Sequence, residues 1–417
     1  MDLSALVERK KITLIRILKK LNRKQVVFSF VFMLGLIILW WLPTGFEQQI
    51  YVNSEGVKAK VVSVNNSAVY QTGIINQGEQ WCLIKIQSGA YKGKKIEAIN
   101  LLTGKLEFDK LFKVGDEAWV LLELNQDGDL IFANMVDFYR LDSELLIISL
   151  FAFCLTVFSG FTGIRTILSF SFALLSICKL LIPSFLKGID PLLMALFVGN
   201  LLTIVTLLLV AGFNRKAYTA IASSVICSFI TCLLAVVFGN LFNLHGAVMD
   251  WSESLLYAGY QNLNLMSIFQ AGIYLACSGA ILDLAIDISA ALEEVIQNNP
   301  TISRQSLIKS GLRIGKSIVG SQTSTLLLAY MGSYITILMV YMAQGTPLLS
   351  ILNSQKVASE ILHTFVGCLG LVLVSPLTAI ICGFVYCRSP KLEFEIVTES
   401  SQDSLVDTLD LVESSLS

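Results

Sequence analysis

Charge is scarce in this sequence. Only 15% of its 417 residues are Asp, Glu, Lys or Arg, where a soluble domain carries about a quarter. With 54% hydrophobic residues and several apolar runs of about 20 residues, the chain reads as a polytopic membrane protein. A basic surplus is also missing. The net charge of −1 leaves no global positive field to attract nucleic acid. Histidine is nearly absent: His245 and His363 stand far apart, suggest no metal cluster, and read as ordinary loop or helix-end residues. Of nine cysteines only Cys82 falls in a polar stretch, and no CxxC occurs, so neither a disulfide framework nor a zinc or redox motif can be drawn. No cofactor is implied. Basic residues precede the first apolar core, as in a signal peptide, but no small-residue cleavage pattern follows "GLIILWWLPTG". That segment is expected to be an uncleaved span with Trp40 and Trp41 at an interfacial belt.

What is present is a series of eight apolar runs, at 26–42, 143–161, 163–183, 191–212, 217–239, 265–290, 320–343 and 360–386. Lys and Arg orient them. The segment 1–25 is strongly basic. With it inside, the connections on the same side hold Arg165, then Arg215 and Lys216, then Arg304, Lys309, Arg313 and Lys316, then Arg388 and Lys391. The short loops opposite hold only Lys187 and Lys356, and Lys179 can snorkel from the outer end of its span. Eight spans with both termini cytoplasmic fit this asymmetry.

The stretch 43–140 then faces outward. "GVKAKVVSV", "WCLIKIQS", "KKIEAIN", "EAWVLLEL" and "LIFANMVDFYR" are short β-prone runs separated by Gly, Asn and Asp turns. Five such strands point to a small extracellular β-barrel inserted between the first two spans, with an OB-like barrel among the options. A folded spacer or partner-docking module is the plainer role for it. Residues 301–317, after Pro300, are expected to form a cytoplasmic amphipathic helix. Ile308 and Leu312 lie on one side, Lys309, Arg313 and Lys316 on another. It lies on anionic lipid or lends its basic stripe to a site. The tail 388–417 is acidic and reads as a flexible cytoplasmic segment.

The chemistry concentrates in "GAILDLAIDISAALEEV", Gly279–Val295. At about 100° per residue, Asp283, Asp287 and Glu294 fall within about 40° of one another, with Gly272, Ala276, Gly279, Ala280 and Ala290 on the same face. Glu293 points elsewhere, toward solvent. Small residues admit a neighbouring helix, and carboxylates at membrane depth require water or a polar partner. The next span opens with a hydroxyl stripe, Ser317, Ser321 and Ser324, with Gln322, Thr323 and Thr325 beside it. Asp283, Asp287, Ser321 and Ser324 are therefore expected to enclose an inward-opening polar vestibule between the sixth and seventh spans, suited to protons or a hard cation. Helix-packing polarity, or neutralisation of Asp287 by Arg313 or Lys316, is the competing reading. Asn200, mid-span in the fourth run, either bonds another helix or lines a cavity.

"GAILDLAIDISAALEEVIQNNP", followed by "LIKSGLRIGKSIVGSQTSTLLLAYMGS", resembles the YibE/F family of bacterial integral membrane proteins. The shared pattern falls on Asp283 and Asp287, on Arg313-Ile314-Gly315, on Ser324-Thr325 and on Leu328-Ala329-Tyr330. "SGAYKGKKIEAINLLTG" and "KVGDEAWVLLE" are similar to the β-rich domain of YibE-type members, so the resemblance spans roughly residues 50 to 386. "KSIVGSQ", Lys316–Gln322, departs from the more polar family stretch. The resemblance implies an integral membrane protein and little chemistry, with a permease only sometimes suggested for its members; some members resemble paired paralogues, so a related membrane subunit or a second copy is a reasonable partner. It supplies no catalytic or ligand residues.

The leading expectation is a permease or secondary transporter whose solute the residues do not name, using Asp283, Asp287, Ser321 and Ser324, with Asn200, Glu294 and Arg313 as secondary candidates. The alternative is a non-transporting envelope scaffold or sensor acting through the outer barrel. An enzyme is not expected: the paired aspartates share one helix, with no nucleophile–base pair.

Overall fold

The computed structural model describes residues 23–46, 53–125 and 129–387. Most of the basic segment 1–25 and the whole tail 388–417 lie outside the described residues. The chain divides into two compact units, one of which is Phe46–Gly160 and the other everything else.

The smaller unit contains a closed five-stranded barrel, β1 (Ser54–Thr72), β2 (Ile75–Ile86), β3 (Lys95–Thr103), β4 (Glu117–Leu124) and β5 (Leu130–Phe138), in the order β1-β2-β3-β5-β4. Every pairing is antiparallel except β3 with β5, where Ile99 sits opposite Asn134. This Greek-key closure agrees with an OB-type barrel. Alternation sets the strands. Val57, Ala59 and Val61 point inward from β1, Cys82, Ile84 and Ile86 from β2, and Ala118, Val120 and Leu122 from β4, all buried. Alanines at 59, 98, 118 and 133 keep the interior narrow, and Phe112 closes it from the loop before β4. Two register shifts in β1, at Val61/Ser63 and Asn65/Ala68, let so long a strand bend between two neighbours. The polar core residues are satisfied. Gln80 donates to the Phe112 carbonyl at 2.9 Å and accepts from the Phe112 amide at 3.0 Å, and Asn100 donates to Gln80 at 3.0 Å. Burial pushes the Cys82 thiol up to about 11.

Helix α2 (Leu141–Ser159) belongs to this unit. Its first turn is tied to the barrel. Lys58 Nζ donates to Asp142 at 2.6 Å and reaches Glu117 at 2.9 Å. Those two bonds, Asp142 first, hold the ammonium above its ordinary value.

The larger unit contains α1 (Arg23–Trp41), α3 (Phe161–Leu186, with a π-helical stretch at Ile177–Leu181), α4 (Pro191–Val210), α5 (Arg215–Leu241), α6 (Leu265–Asn298), α7 (Arg304–Ala343) and α8 (Gln355–Tyr386). Among the described residues seven helices, α2 to α8, are long and apolar enough to cross a membrane, and α1 contributes the shorter apolar helix Ser29–Trp41. The boundaries follow from caps. Asp190 accepts from the amides of Leu192 and Leu193 ahead of Pro191, Asn264 from Ser267, and Ser303 from Ser306. The core lies where α5, α6 and α8 meet. Leu284, Ala285, Ile288 and Leu292 of α6 pack there with Cys227 of α5 and with Leu371 and Val374 of α8.

One expectation is corrected. No separate amphipathic helix spans 301–317: from Arg304 it runs without a break into the span expected at 320–343, giving one helix of 40 residues. Nothing between Arg304 and Ala343 stops a helix, since that stretch holds no proline. Two of its glycines serve contact instead. A Cβ on Gly311 would lie 2.8 Å from the Ala379 Cβ and 2.9 Å from Leu292. At Gly315 it would collide with Ser375.

Candidate functional site

The sequence of α6 divides it into two faces. Phe269, Ile273, Cys277, Ile281, Leu284, Ile288 and Leu292 recur every three or four residues and are buried. The opposite face carries Gly272, Ala276, Gly279, Asp283, Asp287 and Glu294, all exposed. Neither aspartate makes a hydrogen bond or ion pair to a described residue. Along the helical rise, Asp283 lies about 27 Å from Leu265 and about 22 Å from Asn298.

The turn at 299–303 returns the chain into α7, whose register against α6 is fixed by two contacts. Gly311 meets Leu292, and four residues on, Gly315 meets Ile288, four residues back. Continuing that register puts Lys316 level with Asp287 and Gly320 level with Asp283. Ser321 and Ser324 therefore stand at the expected depth, but both are exposed rather than walled in, and neither bonds to an aspartate. The Ser324 hydroxyl donates to the carbonyl of Gly320 at 3.1 Å, and Thr325 to that of Ser321 at 3.0 Å. Such back-bonding satisfies hydroxyls inside a helix without any ligand. The acidic and hydroxyl stripes thus lie at one level on uncovered surface of the helical unit.

The secondary candidates separate. Asn200 of α4 accepts from Ser228 of α5 at 2.8 Å, away from the aspartates, and joins two helices. Glu294 and Arg313 are exposed and pair with no described residue, so Arg313 does not neutralise Asp287. Glu293 is the acid that pairs: Lys216 of α5 lies 3.8 Å from it, in place of the solvent contact expected. On the far side of α6, Tyr386 donates to the Ser289 carbonyl at 3.1 Å and lies 3.2 Å from Thr219, tying α8, α6 and α5 together.

A second polar group was not foreseen. His363 is no helix-end residue: it sits inside α8, with its ring 4.5 Å from the ring of Tyr330 on α7. The His363 Nε2 and the Tyr330 hydroxyl are both enclosed and without a partner among the described residues. Glu360, one turn before His363, is half-buried. The "LAY" tripeptide pointed to Tyr330, but a lone histidine is no motif. Only the register of α7 on α8 joins the two.

Among the described residues no three His, Cys, Asp or Glu side chains come together to hold a metal ion. Two carboxylates one turn apart repel, and a proton or cation relieves that repulsion. Residues 147–388, more than half of the chain, match the family model described as YibE/F-like protein, a match that begins after the barrel. No curated protein and no solved structure matches the chain.

Proposed function

The chain belongs to the YibE/F-like protein family, and on that footing we propose that it is a multi-pass permease of a bacterial cell membrane in which Asp283 and Asp287 take up protons or a cation from the cytoplasmic side. The depth of Asp283 carries this reading. A hydrocarbon core is about 30 Å thick, and α6 is about 50 Å long. Wherever that core falls along the helix, a residue about 27 Å from one end lies within it. A lipid-facing aspartate costs about 2.5–3.5 kcal/mol at the centre of a span and less toward its edge, and the same rise puts Asp283 about 3–15 Å inside the nearer edge. Retaining two on one face is accounted for when that face meets water or a polar partner. The Lys and Arg asymmetry supports placing the 299–303 turn and both termini in the cytoplasm and the barrel outside. A second copy, or a paralogous YibE/F-type subunit, is the partner we assign to the exposed face, since Gly272, Ala276 and Gly279 allow close helix approach.

The test is a flux measurement on the purified chain in vesicles holding a trapped pH dye, challenged with protons and then with Na⁺, K⁺ and Mg²⁺. Wild type is expected to give a pH change with at least one cation, and Asp283→Asn/Asp287→Asn to abolish it. A signal that survives the double replacement contradicts the assignment.

The scaffold or sensor reading has one observation in its favour. A cleft of about 730 Å³ on the barrel has a mainly apolar lining, Val61, Val62, Ile86 and Val114 among it, with Lys60, Lys85 and Lys92 at the same place, a combination suited to an amphipathic anionic partner in the envelope. In that case deleting the barrel removes the cellular phenotype and the aspartate variants keep it.

A further inference from the structure

The seam between α7 and α8 holds a titratable group of its own. Gly311 meets Ala379 and Gly315 meets Ser375, so the two helices run antiparallel. The same register brings Tyr330 level with Glu360 and His363. Three observations then stand together. The rings of Tyr330 and His363 are 4.5 Å apart. The imidazole Nε2 and the phenol hydroxyl are enclosed with no partner among the described residues. Glu360 has no ion pair among the described residues, because Lys356, one turn before it, is drawn to Asp250 at 2.6 Å.

Simple packing accounts poorly for this. An enclosed polar atom left unbonded costs about 1–3 kcal/mol by mutational measures, and a phenylalanine facing a leucine would fill the same space without that cost. Gly367 of α8 lies beside the group: a Cβ there would sit in ordinary contact, 3.5 Å from the Tyr330 hydroxyl and 3.4 Å from the Cys277 Cβ of α6. The group thus neighbours Cys277, on the buried face of α6. Its titratable surroundings are Cys277 from α6, Tyr330 and Tyr334 from α7, and Glu360 and Cys368 from α8, with Asp250 and Lys356 beyond.

We propose that Glu360, His363 and Tyr330 form a second proton-exchanging site, carried by α7 and α8 and separate from the aspartates of α6, in which the imidazole passes the proton. Histidine suits the task, since it accepts a proton at one ring nitrogen and releases one from the other, leaving no net charge behind. Glu360 is the entry group and Tyr330 the positioning residue that holds the ring. The role as a relay rests on the permease reading; the protonation of His363 does not.

The chain has only two histidines, which makes the test direct. His245 lies in a loop, where its Nδ1 accepts from the Ala247 amide, so His245→Gln leaves one imidazole. The full chain, purified through a tag without histidine, labelled with ¹⁵N-histidine and placed in bilayers, is titrated by NMR. The proposal expects the His363 nitrogens to change protonation between about pH 5 and 9, Glu360→Gln to displace that transition, and Tyr330→Phe, which keeps the ring, to change the tautomer signal. An imidazole that keeps one form across that range, or a transition indifferent to Glu360→Gln, overturns it. The readout is protonation and not flux. This proposal thus fails on a silent imidazole even where the permease stands, and the permease fails on its aspartate variants even where His363 titrates.

Discussion

Gly315 of α7 lies so close to Ser375 of α8 that no Cβ fits between them. With Gly311 against Ala379, this contact sets the register in which every candidate group of α7 meets its neighbours. Gly279 and Gly320 are helical glycines too, yet nothing lies within 4 Å of a Cβ at either.

That contrast gives the first prediction. Gly315→Leu and Gly311→Leu overpack the α7–α8 contact and are expected to cost about 1–3 kcal/mol, read as a lower unfolding midpoint of the purified chain in detergent. Gly279→Ala and Gly320→Ala are expected to leave the midpoint unchanged or raise it slightly, since alanine is the better helix former. Equal losses in the two pairs would show that the register is not set where the structure places it.

A second prediction concerns acid. Burial pushes the Asp109 carboxyl up, but bonds from the Thr103 amide and hydroxyl and from the Gly104 amide outweigh it and hold the group below its ordinary value. A folded value below the unfolded one stabilises fully above the unfolded carboxylate range. That stability is lost as pH falls through the folded value. Hydrogen exchange at Thr103 and Gly104 is therefore expected to stay slow near neutrality and to quicken, after correction for intrinsic rates, only below about pH 4. Asp109→Asn should remove most of that pH dependence.

Much of this was legible in the sequence, for physical reasons that also mark where legibility ended. The strands of the barrel show in alternation and turn residues, which are local. The closing order and the parallel β3–β5 pair are not local, and no short run reveals them. The α6 stripe was readable because a helix maps spacing onto a face, so Asp283 and Asp287 could be placed together from numbers alone. Whether that face is covered depends on the other helices, and here it is open. The helix expected at 301–317 and the span expected at 320–343 differ in composition, but a change of composition ends no helix where no proline intervenes. Glu293 seemed solvated because its partner, Lys216, lies on α5, and His363 seemed unremarkable because Tyr330 is on another helix.

The account turns on whether the aspartate face of α6 is wet from the cytoplasmic side, and thiol labelling measures that most directly. The background is Cys154→Ala, Cys178→Ala and Cys387→Ser, which leaves only buried cysteines. Into it go Asp283→Cys and Asp287→Cys singly, with Phe229→Cys on the exposed apolar face of α5 as the lipid control. A membrane-impermeant maleimide is applied to either side of sealed vesicles. The account predicts that Asp283→Cys and Asp287→Cys react from the cytoplasmic side while Phe229→Cys stays silent. If both aspartate positions are as unreactive as Phe229→Cys, the carboxylates do not meet water and the permease reading is wrong.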